Sequence, residues 1–193
     1  AITAAVRLIF GVDMLASDLA VDPFLGPGTA AVTHIESQGA SLNAIPSICI
    51  FYIDRRLTLG ESATRAAAEI EGLIGREGLD AEVEIMECAA TSYTGYQFRV
   101  REAFNAWALE PNHPLIRELS GVAQEALGIT PAIGCWDFST DAVHSMGELG
   151  IPTVGFGPGD PIHVHTVLDQ VRLDDVAQAA QVYAQLAVTL LGD

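Results

Sequence analysis

The clearest pattern in the sequence is AIPSICIFYIDRR, residues 44–56, followed by LGESATRAAAEIEGLIGREG, residues 59–78. β-Branched and apolar residues dominate the first run, which is typical of a strand. The second run has apolar residues at helical spacing and ends on glycine, so it predicts a helix. TAAVTHIES, residues 29–37, predicts another strand, and the turn-like QGASLN lies between the two. We therefore expect a hairpin followed by a helix.

The flanking segments extend this pattern in both directions. Residues 4–20 have apolar side chains at helical spacing, and DAEVEIMECA, residues 80–89, alternates polar and apolar residues like a strand. Helix, hairpin, helix and strand is the order of a ferredoxin-like α+β domain that lacks its first strand. We assign this domain to residues 1–92. Because the chain opens inside a helical pattern without an initiator Met, we expect it to be a fragment.

The remaining residues, 93–193, have a different pattern. Residues 90–114 lose their period and are expected to form the crossing between two domains. Helical patterns at 114–128, 139–150 and 172–191 then alternate with the strand-like runs PAIGCW and IPTVGFG. Strands that alternate with helices indicate part of a parallel α/β layer. The predicted fold class is therefore α/β, with a ferredoxin-like α+β domain placed before this layer.

Composition excludes several partners. Nine basic against 25 acidic residues give a formal charge of -16, which opposes binding to nucleic acid or to anionic lipid. The apolar runs are interrupted before they reach the length of a bilayer, so we expect a soluble protein without membrane contact. Cys49, Cys88 and Cys135 are odd in number and have no CxxC spacing, and the first two lie in apolar runs. Buried, reduced thiols and a cytoplasmic location are the simplest interpretation.

The segment GFGPGDPIHVH, residues 155–165, carries the candidate metal ligands. Its glycines do not fit a phosphate loop, because neither a helix start nor a Lys-Ser/Thr pair follows directly. They are more typical of a tight turn at a strand end, which is also where ligands collect in α/β sheets. His163 and His165 would lie on the same side of an extended segment, and each could bind zinc. Asp160 and Asp169 are the nearby carboxylates in sequence.

Two further groups of polar residues are candidates for substrate binding. Ser139, Thr140 and Asp141 stand at a predicted helix start, where one of them would cap the helix or the backbone amides would hold a substrate carboxylate. A hydrolytic triad of Ser139, His144 and Asp141 is excluded by their spacing within one helical turn. Arg55 and Arg56 end the strand predicted at residues 44–56, and an Arg there would clamp a carboxylate or form an ordinary salt bridge.

Three motifs together resemble a known family. SLNAIPSICIFYIDRRLTLGES, FSTDAVHSMGELGIPTVGFGPG and HVHTVLDQVRLDDVAQAAQVYAQL are similar, in order and spacing, to motifs of the dinuclear-zinc hydrolases. That family includes aminoacylases, acetylornithine deacetylase, succinyl-diaminopimelate desuccinylase and related metallopeptidases. Within it, the chain most resembles the hydrolases that are named for a link to selenium metabolism.

The resemblance implies a lid and dimerisation domain followed by the C-terminal part of a zinc-peptidase-like catalytic domain. It implies that His165 is a metal ligand in a site for two zinc ions, or for cobalt or manganese. It also implies that Asn43 and Arg56 reach the substrate carboxylate, and that Thr140 and Asp141 line the substrate pocket. His163 matches no ligand position. Homodimerisation through the lid is a further implication.

The family's other metal ligands and its general base have no counterpart in these residues, so no catalytic residue is assigned and the chain alone is expected to be inactive. Two functions remain. The first is a portion of a metal-dependent hydrolase that cleaves the amide bond of an N-acyl amino acid or a small peptide-like substrate. The alternative is a non-catalytic dimerisation or binding module derived from that family.

Overall fold

The computed structural model describes residues 1–136, 138–164 and 166–192. They form two compact units, of which the first is Ala1–Trp107 and the second begins at Ala108. The first domain was assigned to residues 1–92 and the crossing to residues 90–114, and the structural division after Trp107 falls within that crossing. The division lies later than residue 92 because a hairpin formed by residues 87–101 belongs to the first unit.

The first unit is built from two helices and six strands among its described residues. In chain order these are α1 (Ile2–Ala16), β1 (Val21–Asp22), β2 (Gly26–Pro27), β3 (Thr29–Gln38), β4 (Ile48–Arg56), α2 (Ala63–Glu77), β5 (Glu87–Thr91) and β6 (Gln97–Arg101). The strands pair as three separate antiparallel ladders, β1 with β2, β3 with β4 and β5 with β6. The predicted order of helix, hairpin and helix is confirmed.

The β3–β4 hairpin and the two helices share one apolar core. Leu8 and Val12 of α1 pack with Ile70 and Leu73 of α2, and apolar side chains of both strands close the cluster, namely Ala30, Val32, Phe51 and Ile53. Ser62 starts α2, because its hydroxyl accepts a hydrogen bond from the Arg65 amide. The helices therefore cover one face of the hairpin.

The strand predicted over residues 80–89 is only partly correct. Ala81 and Val83 do pack against the core, as their alternation indicated, but ladder pairing begins at Glu87. From there β5 pairs with β6, a hairpin that the prediction of an irregular crossing missed. Cys88 lies on this hairpin and is exposed, so the prediction that it is buried was wrong. The β5–β6 hairpin does not contribute a buried face, since all but one of its strand residues are exposed.

The second unit consists mainly of helices. Its elements are α3 (Pro114–Leu127), a π-helix (Val143–Glu148), a 3₁₀ turn (Pro161–His163) and α4 (Leu173–Leu191). Residues of α3 and α4 form the core, namely Leu119, Val122, Ala123 and Val182. All three predicted helical segments are confirmed, although the middle one has π rather than α geometry.

The strands predicted at residues 131–136 and 151–157 are not formed as strands. Val154 and Phe156 do pack against the helical core, so the apolar composition reflects real burial. A strand also needs a hydrogen-bonded neighbour, and within the described part of the second unit neither segment has one.

Among the described residues, no helix has both the length and the apolar character that crossing a membrane requires.

Candidate substrate and metal site

Arg56 is the last residue of β4 and presents an exposed guanidinium. It lies opposite Thr29 at the base of the hairpin, and 60% of its side chain is exposed. Its Nε is 3.9 Å from Asp54 Oδ2, which is a loose ion pair. A guanidinium offers several N–H donors in a planar fork that matches a carboxylate. Arg56 is therefore accessible to an anionic ligand.

Arg55, the preceding residue, is placed in the opposite way. Only 12% of its side chain is exposed, and its Nη2 lies 2.5 Å from Glu61 Oε1 and 3.5 Å from Glu69 Oε2. Its Nη1 donates a hydrogen bond to the carbonyl of Arg56 at 2.6 Å. The sequence left two roles open for these arginines, a salt bridge and a carboxylate clamp. Arg55 forms the buried salt bridge, and Arg56 is on the opposite side of the strand, as alternation requires.

Glu61 links this ion pair to the turn after β4. Its side chain is 2% exposed, and its Oε2 accepts a hydrogen bond from the Thr58 amide at 2.9 Å. The Thr58 hydroxyl in turn donates to the Gly26 carbonyl. Gly28 borders the pair so closely that a Cβ there would lie 2.7 Å from Arg55 Nη1. Glu61 does not stand out in the sequence, and the alternation along β4, which turns one of the two arginines inward, was the available signal for a buried acidic partner.

Asn43 is an exposed residue in the loop between β3 and β4, and its Oδ1 accepts a hydrogen bond from the Ser41 hydroxyl at 2.8 Å. This loop is at the opposite end of β4 from Arg56. A strand of nine residues is roughly 30 Å long. The structure therefore does not bring Asn43 and Arg56 together within one chain.

Thr140 and Asp141 begin the turn that leads into the π-helix. The Thr140 hydroxyl accepts a hydrogen bond from the Ala142 amide at 3.3 Å, and the Asp141 carbonyl accepts one from the His144 amide at 3.0 Å. The π-helix itself has Ala142 at its N-cap and no side-chain cap, so the Thr140 bond belongs to the turn before the helix and the expected cap is not formed. The Asp141 side chain is exposed. Short π-helical segments are frequent at functional sites, so this turn stays a candidate for substrate contact.

His144 is engaged within the same π-helix. Its Nδ1 lies 3.1 Å from Glu148 Oε2, one turn further along. This contact agrees with the exclusion of a triad of Ser139, His144 and Asp141.

The glycine-rich loop is shaped by packing and by a turn. A Cβ on Gly155 would overlap the indole ring of Trp136, which stacks on Phe138 with ring centroids 5.4 Å apart. Gly159 has φ +98°, a conformation that favours glycine. The turn interpretation is thus supported at Gly159, whereas Gly155 is explained by the close approach of Trp136. The Tyr183 hydroxyl donates to the carbonyl of Phe156, which ties the loop to α4.

The residues that lead up to and include His163 form a turn. Pro161–His163 forms a 3₁₀ turn that starts with Asp160, whose Oδ1 accepts a hydrogen bond from the Ile162 amide at 3.0 Å. Residues 161–163 therefore do not meet the condition of an extended segment under which His163 and His165 would share one side. Proline at the first position of the turn and the Asp160 cap favour the turn. His165, the predicted metal ligand, lies outside the described residues.

The described residues can be compared with what a divalent metal site requires. Among them, no group of three or more His, Cys, Asp or Glu residues is close enough together to hold a metal ion. A zinc site needs three or four protein ligands. The described residues by themselves do not fit a zinc ion, and the role of His165 stays a prediction.

Comparisons with known proteins agree with this architecture. The chain is 32% identical over 177 residues to the uncharacterized protein YgeY of Escherichia coli (strain K12), and the match covers 92% of this chain and 44% of YgeY. It is 25% identical over 171 residues to N-formyl-4-amino-5-aminomethyl-2-methylpyrimidine deformylase of Bacillus subtilis (strain 168), covering 86% of this chain and 40% of that enzyme. The chain thus spans less than half the length of these relatives.

A solved structure shares the fold. The M20 family metallo-carboxypeptidase Sso-CP2 from Sulfolobus solfataricus matches with a TM-score of 0.60 and 15% identity, over 93% of this chain and 43% of that one. This likeness confirms the mixed α/β fold class.

The family model extends over nearly the whole chain, from residue 10 to residue 189. It confirms the resemblance to metallopeptidases and amidohydrolases, while the narrower likeness to the selenium-linked branch stays a prediction. The chain belongs to peptidase family M20/M25/M40.

Proposed function

We propose that this chain is the lid and the C-terminal catalytic portion of a metal-dependent hydrolase. The hydrolase cleaves the amide bond of an N-acyl amino acid or of a small peptide-like substrate. The observation that carries this proposal is the family match over residues 10–189. We call the chain a portion because it aligns with 44% of YgeY and 40% of the deformylase.

Arg56 is the proposed contact for the substrate carboxylate. It is exposed at the end of a paired strand, where the backbone is held by the ladder with β3. A charged, planar donor on a fixed backbone orients a carboxylate and so aligns the amide bond for attack. Thr140 and Asp141 are the proposed lining of the substrate pocket, and their turn offers a hydroxyl and a carboxylate.

Asn43 needs a different arrangement. Because it lies at the far end of β4 from Arg56, one small substrate cannot contact both residues of the same chain. We therefore propose that the two residues serve the same substrate only in a homodimer, with Asn43 supplied by the partner subunit. The lid is the proposed dimer contact, since β3 and β4 form a two-stranded sheet whose outer edges are open to another strand. Light scattering that shows a strict monomer at high concentration would remove this part of the proposal.

The metal site is proposed to be shared. His165 would supply one ligand, and residues outside this chain would supply the others, for two divalent ions such as zinc, cobalt or manganese. The absence of a ligand cluster among the described residues supports a shared site. The proposal also implies that this chain alone is inactive. A cytoplasmic location is proposed from the odd number and the spacing of the cysteines.

A second candidate function rests on the same absence. If no other ligands are supplied, the chain is a non-catalytic dimerisation or binding module of this family.

The test uses the complete enzyme, meaning this chain together with the further residues that its longer relatives contain. Arg56→Ala should lower kcat/KM roughly 30-fold to 1000-fold for an amide substrate with a carboxylate, because truncating one partner of a charge-assisted contact costs about 2 to 4 kcal/mol. The loss should shrink for the same amide without a carboxylate.

Arg7→Ala is the matched control, because Arg7 is a similarly exposed arginine of the same unit, paired with Glu77. It should leave kcat/KM unchanged for both substrates. Equal losses for Arg56→Ala on the two substrates would contradict the proposed role of Arg56. Complete inactivity of the unmodified enzyme on amides, with metal present, would favour the binding module.

A further inference from the structure

The ion pair between Arg55 and Glu61 differs from the other ion pairs of the described chain. Arg55 is 12% exposed and Glu61 is 2% exposed, whereas Arg7 and Glu77 are 51% and 39% exposed. Removing ions from water is costly unless their hydrogen-bonding groups are satisfied. The buried pair lies next to Arg56, the proposed substrate contact. Its burial therefore needs a physical explanation other than solubility.

The contacts of Arg55 lead directly to the backbone of Arg56. Arg55 Nη1 donates to the Arg56 carbonyl at 2.6 Å and is 3.5 Å from the carbonyl of Thr29, the residue that faces Arg56 across the ladder. One guanidinium thus holds both strands at the point where β4 ends.

Glu61 holds the other side of the same point. Its Oε1 accepts a hydrogen bond from Arg55 Nη2, and its Oε2 accepts one from the Thr58 amide. Thr58 as a whole is 2% exposed. The chain that leaves Arg56 is therefore tied down two residues later. Gly28 leaves the space for this pair, because any side chain there would meet Arg55 and Glu61 within 2.8 Å.

We infer that Arg55 and Glu61 are positioning residues for Arg56, and this inference rests on the proposed role of Arg56 in binding the substrate carboxylate. Arg55 fixes the Arg56 carbonyl, Glu61 fixes the turn behind it, and the backbone from which the Arg56 side chain extends is held on both sides. Lysine cannot replace Arg55 in this role, because a single ammonium lacks the planar fork that reaches Glu61 and the carbonyl together.

A double-mutant cycle in the complete enzyme tests this inference. Arg55→Lys should lower kcat/KM for a substrate with a carboxylate about 10-fold to 100-fold, mainly through KM, because small misplacements of a binding group have effects of this size. In the Arg56→Ala background the same Arg55→Lys change should alter kcat/KM less than about twofold, since the group that it positions is gone.

Glu61→Gln is the second variant, because it keeps the shape of the side chain and removes its charge. It should lower kcat/KM when Arg56 is present and have little effect on kcat/KM in the Arg56→Ala background. Thermal unfolding of all variants supplies a second readout, and the loss of stability should be equal in both backgrounds. Only the kinetic effect should depend on Arg56.

The outcomes separate two failures. If Arg56→Ala alone leaves kcat/KM unchanged, the proposed role of Arg56 is wrong and the inference is overturned with it. If Arg56→Ala is damaging but Arg55→Lys and Glu61→Gln have no kinetic effect, or lower kcat/KM by the same factor in both backgrounds, only the inference is overturned and the pair is purely structural.

Discussion

The two compact units complete their structures in different ways. In the first unit β3 and β4 pair from one end to the other, with one register shift between Val32 and His34, and two helices cover the hairpin. In the second unit the strand-like segments 131–136 and 151–157 remain without a ladder among the described residues, and the core comes from α3 and α4. Apolar, β-branched composition was present in both units. The difference shows that composition reports burial, whereas a strand also requires a partner.

The units also differ in how polar groups are buried. The first unit contains a buried ion pair with several hydrogen bonds at the base of the hairpin. In the second unit the glycine-rich loop contacts aromatic side chains, with Gly155 against Trp136 and Phe156 against Tyr183. Substitutions in the two units should therefore have different consequences.

The largest effect on stability is expected for Glu61→Ala in the first unit. It leaves the buried Arg55 without its main partner, and breaking a buried pair in this way costs about 3 to 5 kcal/mol. The measurement is urea-induced unfolding of the chain. Glu77→Ala, which breaks an exposed pair in the same unit, should cost about 0 to 1 kcal/mol. Equal costs for the two variants would show that burial of the pair is unimportant.

The next effect concerns the metal and the second unit. His165→Ala should lower metal content and turnover of the complete enzyme together, by more than about 100-fold, because even residues behind a ligand contribute 10-fold to 100-fold. His163→Ala should retain the metal and most of the activity. Metal analysis with steady-state kinetics decides the matter. Loss of metal in His163→Ala and retention in His165→Ala would place the ligand two residues earlier.

The smallest of these three effects is expected for Gly155→Ala. The new methyl group would collide with the ring of Trp136, which is 42% exposed and can shift, so the cost should be about 1 kcal/mol, the low end for overpacking. Tryptophan fluorescence during denaturation is a suitable readout. Gly121→Ala in α3 is the control, because a Cβ there meets open space and should add up to about 1 kcal/mol of stability. A neutral Gly155→Ala would mean that Trp136 does not pack on this loop.

The helices and the central hairpin could be predicted from sequence because their signals are local. In α2 the period, the Ser62 cap and the terminal Gly78 all agree. The β5–β6 hairpin was missed although β6 alternates polar and apolar residues, because the strand is short and its connection is longer than a two-residue hairpin turn. The strands predicted in the second unit were wrong because pairing is a tertiary property.

The candidate site could be predicted only in part from the sequence. Alternation along β4 indicated that one of two arginines would face outward. It could not show that Arg55 would be buried, because its partners Glu61 and Glu69 come 6 and 14 residues later. The separation of Asn43 from Arg56 follows from the length of the paired strand, which the motif spacing alone does not reveal.

A calorimetric titration of this purified chain with Zn²⁺, followed by an amidase assay, tests whether the chain supplies His165 to a metal site whose other ligands lie outside it. We expect weak binding without a stoichiometric site and no amidase activity, whereas the complete enzyme should hold its metal tightly. A pair of tightly bound metal ions in this chain alone, with amide hydrolysis, would contradict the account.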